Sequence, residues 1–282
     1  SAIKHLQNKN FKSIPEIIET KQGKDYIEIE RGYAYLCRWV DSRQCNFENP
    51  LDVLVATSKL AELHKKSCNF KVLKNMNPRI GWLKWIDTFK TRENEIVDFK
   101  KRILKKDHKE EFDILYLNSM EKEINIAEKS IEDLKKTRYL DEMKQEILNN
   151  GFCHHDYANH NILIDTEGEI NIIDFDYCIL DTHLHDLASL LIRRMKNGKW
   201  DMNNASFIID AYNAINVVKT EDIPIMSAFM EFPQGYWQLG IQYYWEKQPW
   251  GEEVFIKKLK RILGDTRERL EFIDEFKKSK YN

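Results

Sequence analysis

Glycine and proline are scarce, 10 and 6 of 282 residues, roughly half the usual share for soluble proteins. So few turn formers exclude a collagenous, all-β or propeller architecture and point to long helices. The five cysteines, Cys37, Cys45, Cys68, Cys153 and Cys178, are far apart and contain no C-x-x-C pair. That pattern excludes a zinc knuckle or disulfide framework and reads as reduced thiols in a cytosolic protein. No run of 18 apolar residues occurs, so no membrane-spanning helix is expected. Charge of one sign is also missing, since 44 basic residues face 46 acidic ones; nothing in the overall balance recruits nucleic acid or an anionic membrane. No signal peptide opens the chain. Ala2, Ile3, Leu6 and Phe11 instead have helical spacing, as though the sequence begins inside a helix at Ser1.

Aromatic residues make up 12% of the chain, which argues against disorder, and the length suits about two lobes. Ile14 to Thr20, Tyr26 to Ile29 and Tyr33 to Cys37 are β-rich runs separated by turns at Gly23 and Gly32, read as a three-stranded antiparallel meander. Asn49-Pro50 starts a helix to about Ser67. Residues 82–150 contain no glycine or proline, and 14 basic residues balance 16 acidic ones from Trp85 to Asn150. Apolar residues recur there at helical spacing but drift from strict heptads, which favours an intramolecular helical hairpin over a coiled-coil partner site. From Gly151 the character changes. Asn161 to Ile164 and Glu169 to Ile173 form a hairpin around the turn Asp165-Thr166-Glu167-Gly168. A helix starts at Leu184, and the remainder is helical with breaks at Pro224, Pro233 and Pro249.

The window Cys153 to Asp186 is the richest in potential bases and ligands. Asp156 and Asn161 precede the first strand of the hairpin and Asp174 ends the second, so folding the hairpin should bring the three together. Such a set suits phosphoryl transfer: one carboxylate accepts the acceptor's hydroxyl proton, while an amide oxygen and a second carboxylate hold Mg²⁺ against ATP. His154-His155-Asp156-Tyr157-Ala158-Asn159-His160-Asn161 matches the H-x-D-x-x-x-x-N loop of kinases, and Asp174-Phe175-Asp176 matches their D-F-G or D-x-D segment. Asp186-Leu187-Ala188 follows ten residues after Asp176; it resembles the helix start of aminoglycoside-phosphotransferase and choline-kinase-like enzymes. No A-P-E ends an activation segment, which favours a small-molecule or atypical acceptor over a protein-kinase substrate.

The arrangement most resembles the spore coat protein S (CotS) family, through Phe152 to Tyr157, Tyr35 to Val40, and Phe232-Pro233-Gln234 with its following aromatic residues. The resemblance implies an α+β, two-lobed, protein-kinase-like fold: an incomplete N-terminal β lobe (1–40, hinge 36–41) and a large helical C-terminal lobe (41–282). The latter would carry an inserted helical hairpin (82–150) and a catalytic hairpin (151–186). It further implies ATP and Mg²⁺ as cofactors, synthesis in the cytoplasm and residence in the spore coat, with other coat proteins as partners. Asp156 would be the base, and Asn161 and Asp174 the metal ligands. The backbone of Arg38 and Val40 would bond adenine, with Cys37 at the gatekeeper position and Leu163 on the pocket floor. His154 and Asp186 would support the loop, Asp186 also capping its helix; Asp176 is a second metal contact or a turn cap.

Three features bear on activity. No G-x-G-x-x-G occurs, so either the chain is truncated before Ser1 or the protein is a non-catalytic pseudokinase acting as a coat scaffold. His155 replaces the glycine usual in small-molecule kinases, and Ala158 removes the lysine that protein kinases keep in this loop. A metal-dependent phosphohydrolase using His155, His160 and Asp156 is the other chemistry these residue types allow. His183 and His185 read as surface-loop residues, and Tyr236, Trp237, Tyr243, Tyr244, Trp245 and Trp250 as core or as walls for an ammonium-bearing acceptor.

Overall fold

The computed structural model describes residues 2–30, 32–74 and 76–281. Ser1 lies outside them. Helix α1 (Ala2–Asn8) ends where Asn10 turns left-handed (φ 59°) and the Phe11 N–H donates to the Leu6 carbonyl, a stop that asparagine tolerates. Strands β1 (Ile17–Ile18), β2 (Ile27–Ile29), β3 (Gly32–Ala34) and β4 (Leu36–Cys37) follow. They do not form the expected meander. The last run, Tyr33 to Cys37, serves both partners: β3 pairs with β2 and β4 pairs with β1, each antiparallel. A short hairpin exhausts β2 after three residues, and the chain beyond it, still extended, takes β1 instead. Pro15, with no N–H, cannot lengthen that ladder.

Strand β5 (Ser42–Gln44) leads to α2 (Pro50–Ser67), capped by Asn49, whose side chain accepts from the Leu51 N–H at 3.0 Å. After β6 (Arg79–Ile80) come α3 (Trp85–Leu104), α4 (Glu111–Lys136) and α5 (Tyr139–Asn149). The stretch free of glycine and proline is therefore three helices. Thr137 makes the extra break, its hydroxyl donating to the Leu134 carbonyl and accepting from the Tyr139 N–H. α3 and α4 pack on each other and on α8, α9 and α10, so their apolar stripes are covered within the chain.

Next come β7 (Ile162–Asp165), β8 (Ile170–Ile172) and β9 (Ile179–Leu180), then α6 (Leu184–Met195), α7 (Met202–Asn213), α8 (Asp222–Glu231), α9 (Gln234–Gly240) and α10 (Glu252–Phe276). The expected hairpin is β7 with β8, and β5 joins its other edge to make a three-stranded sheet in the order β5-β7-β8. Pro224 does not break a helix: it sits in the first turn of α8, where no amide is needed.

Two apolar clusters hold these elements. The larger joins α2, α6, α7 and α8 through residues such as Leu60, Leu187, Leu190, Ile208 and Met226, all fully buried. The second joins α3, α4, α9 and α10 through Phe99, Tyr116, Tyr236 and Leu259. Each such large side chain contributes roughly 1.5–3 kcal/mol by burial. Together they fix α6 beneath the loop that precedes β7.

Candidate active site

The loop 151–161 is held from below. Asp186, in the first turn of α6 and fully buried, accepts the N–H of His154 at 2.7 Å and of His155 at 2.9 Å. It also receives His64 Nε2 at 3.2 Å. On its other side His64 Nδ1 takes the Tyr212 hydroxyl at 2.7 Å, and Asn216 donates to that hydroxyl, which sets the histidine tautomer. Burial alone would raise the Asp186 carboxyl; the histidine bonds hold it well below the usual range. Asp186 does not cap α6: the N-cap position is His183, which makes no side-chain capping bond, and the Thr182 hydroxyl accepts the Leu184 N–H at 3.3 Å.

His154 is the brace between loop and sheet. Its Nε2–H donates to the Ile173 carbonyl at 2.9 Å and its Nδ1 accepts the Asp156 N–H at 3.3 Å. His155 stands in the left-handed region at φ 70°, where glycine is at ease. Its ring stacks on His185, 4.3 Å between centroids. Burial first, then His185, pulls the His155 imidazole down to about 4.

Asp156 and Asn161 meet directly. Asn161 Nδ2 donates to Asp156 Oδ2 at 3.2 Å and to the Asp156 carbonyl at 3.0 Å, and among the described residues the amide oxygen has no hydrogen-bond partner. The Ile173 N–H donates to the Asn161 carbonyl at 3.0 Å, so Asp174 begins beside Asn161. Asp174 is exposed and left-handed at φ 60°. Among the described residues neither Asp174 nor Asp176 has a side-chain hydrogen bond or ion pair. A free amide oxygen and an unpartnered carboxylate are hard donors that fit magnesium.

The chain between β3 and β4 approaches this turn, Tyr35 lining one cavity with Phe175 and Asp176. Tyr35 is pushed up to about 12 by burial and by the carboxylates of Asp176 and Asp174. Cys37 pairs with Ile17 in the β4 ladder. The Arg38 N–H is taken by the Glu16 carbonyl at 3.1 Å; its carbonyl and the Val40 N–H have no backbone partner among the described residues. Leu163 lies on β7 between two fully or largely buried isoleucines, on the opposite face of the sheet.

A family model described as "Spore coat putative kinase YutH" matches residues 1–276. The chain belongs to that family. Among solved structures, an aminoglycoside phosphotransferase from Alicyclobacillus acidocaldarius superposes with a TM-score of 0.83 at 20% identity, over 98% of this chain and 80% of that one. A spectinomycin phosphotransferase in complex with ADP and spectinomycin gives 0.68 at 15% identity, over 97% and 80%. A Plasmodium vivax ethanolamine kinase gives 0.58 at 16%, over 96% and 70%. The fold of this spore coat family member is thus the kinase-like α+β fold of these phosphotransferases. No curated protein matches the chain. Among the described residues, no helix is long and apolar enough to cross a membrane.

Sequence reasoning missed Arg193. From the last turn of α6 its Nη2 donates to Asp156 Oδ1 at 2.7 Å, next to the loop position where Ala158 supplies no cation. Its only sequence signal was a basic pair at the end of a helix, an ordinary complement to the helix dipole. His183 and His185 are not surface-loop residues: His183 Nδ1 bonds Glu146 at 2.7 Å, and His185 packs on His155, Trp85 and Phe229. His155, His160 and Asp156 form no metal-binding group among the described residues, where the one such cluster is His64, Cys153 and Asp186. Its Cys153 thiol, raised by burial, donates to the Thr182 carbonyl at 3.0 Å and serves packing.

Proposed function

We propose that this protein transfers the γ-phosphoryl group of ATP to a hydroxyl acceptor within the spore coat, using Asp156 as base. The observation that carries the reading is the bonded Asp156–Asn161 pair set beside an unpartnered, left-handed Asp174. Backbone strain held without local compensation is typical of functional positions. In this reading the Arg38 carbonyl and Val40 N–H take the adenine edge, Leu163 forms the floor beneath it and Cys37 stands at the gatekeeper position. Asn161 Oδ1 and Asp174 hold magnesium, with Asp176 as a further contact; the ion's role is to neutralise charge on the phosphate oxygens.

Asp156 Oδ accepts the proton as the acceptor oxygen forms its bond to the γ-phosphorus. The bond from that phosphorus to the β-phosphate oxygen breaks, ADP leaves, and the proton passes from Asp156 to solvent. Arg193 keeps the Asp156 carboxylate aimed and adds a positive charge beside the transferred group. His154 and Asp186 keep the loop in register beneath it.

The test is Mg·ATP binding and ADP release by the full chain, compared with Asp156→Asn. The variant should bind nucleotide as wild type does and lose about 100-fold or more in turnover. Turnover unchanged in Asp156→Asn would overturn the role of Asp156. Nucleotide binding with no turnover on any acceptor would move the conclusion to a non-catalytic coat scaffold.

A further inference from the structure

His155 precedes the proposed base and has a side chain where the backbone suits none. At φ 70° glycine would be at ease, and a branched ring is retained only if its surroundings hold it there. They do. The imidazole stacks on His185 with 4.3 Å between centroids and 12° between planes. His185 in turn packs on Trp85 at 6.0 Å and on Phe229 at 5.1 Å. Trp85 is itself fixed, its indole N–H donating to Asp181 Oδ2 at 2.9 Å and its backbone N–H to the Tyr139 hydroxyl at 3.0 Å. The ring of His155 therefore stands against a wall built from α3, α6 and α8, and cannot swing aside as an exposed side chain would.

This wall lies on the side of Asp156 that is still open to an acceptor. Asn161 takes Oδ2 and the carbonyl of Asp156, with Asp174 just beyond it. Arg193 takes Oδ1, and Asp186 holds the loop from beneath. What remains is the approach past His155, between the loop and the inserted helix α3. Among the described residues neither ring nitrogen of His155 has a hydrogen-bond partner. With its imidazole held down to about 4, the side chain is uncharged near neutral pH and offers one donor and one acceptor, the complement of a hydroxyl group.

Ammonium groups are poorly served here. Arg92 and Arg79 both act on the His155 ring through space. Arg92 is partly buried, bonded to Gln234 Oε1 at 2.6 Å, so solvent screens its charge incompletely. Walls for an ammonium acceptor also need open ring faces, and the chain's own cations stand over the candidate rings: Arg92 on Trp237 at 4.5 Å, Arg102 on Trp245 at 5.7 Å, Lys106 on Tyr243 and Tyr244 at 5.4 and 5.6 Å, and Lys258 on Trp250 at 3.5 Å. Tyr236 is core, stacked on Tyr116.

We infer that His155 selects the acceptor: its fixed ring narrows the approach to Asp156 so that a small uncharged polyol enters and bonds its nitrogens, while bulky and ammonium-bearing alcohols are kept out. The inference rests on the phosphotransfer reading for the role of Asp156, but selection is read from binding without turnover. Binding of glycerol, glucose and ethanolamine to the full chain is followed by ligand-observed NMR, and phosphoryl transfer from Mg·ATP to each is measured separately.

Wild type should bind glycerol in preference to glucose and to ethanolamine. His155→Gly, which keeps the left-handed turn and removes the ring, should raise glucose binding relative to glycerol at least tenfold at unchanged Mg·ATP affinity, with ethanolamine still disfavoured. His155→Asn tolerates the same backbone and should give an intermediate ratio, which keeps the test decisive if the glycine variant does not fold. A glucose-to-glycerol ratio unchanged by both substitutions, ethanolamine bound by wild type as tightly as glycerol, or no polyol binding at all would each overturn the inference. Glycerol bound selectively but never phosphorylated would sink the phosphotransfer reading and leave the selection by His155 standing.

Discussion

Asp186 and Asp174 are twelve residues apart in the sequence and belong to the same candidate site, yet their surroundings are opposite. Asp186 is fully buried and meets two backbone N–H groups and His64. Asp174 is exposed, strained at φ 60°, and has no partner among the described residues. A buried carboxylate with every lone pair satisfied holds geometry, and removing it strands its donors. An open carboxylate on strained backbone is free to take a ligand.

The largest effect is expected at the buried member. Asp186→Ala should destabilise the fold by about 3–5 kcal/mol, read by chemical denaturation, whereas Asp174→Asn should stay within about 0.5 kcal/mol of wild type. Equal losses would break the contrast. Arg193→Met, which leaves Asp156 unaimed, should lower turnover about 10- to 100-fold while Mg·ATP affinity changes less than about threefold, under 1 kcal/mol. Arg193→Lys should recover part of that turnover; no recovery would make the contact merely structural. Asp174→Asn should weaken Mg·ATP binding by about tenfold, the worth of one charged contact, and an unchanged affinity would remove Asp174 from the metal site.

The smallest effect belongs to His155. Its imidazole falls to about 4 in the fold, mainly through burial, against an ordinary value near 6.5. The unfolded chain therefore binds more protons between those values, so His155 contributes stability above about pH 6.5 that is lost as pH falls toward 4. His155→Asn tolerates the left-handed backbone and should flatten this part of the stability profile. A slope identical to wild type would show that His155 is not its source.

Local patterns were readable where chemistry and neighbours in sequence act together. Asp165 to Gly168 forms the turn of β7 and β8 because the Asp165 side chain bonds the Glu167 and Glu169 N–H groups within four residues. The spacing of Asp156 and Asn161 closes on itself through one short turn. Less was legible where one run had two partners to choose from: nothing local told Tyr33 to Cys37 to divide itself between β2 and β1. His183 and His185 looked exposed because a loop beside a polar turn usually is. Only the approach of α5 and α8 covers most of their surface.

The sequence by itself determined the long helices and the spacing of Asp156, Asn161 and Asp174, because each rests on periodicity or on residues a few positions apart, and the resemblance of those motifs to a known family implied the kinase-like class. Tertiary structure decided which charges meet. The Arg193–Asp156 pair spans 37 positions and the His64–Asp186 bond 122. Electrostatic interaction depends on distance and burial in space, and those are set by how helices pack, not by where their residues stand along the chain.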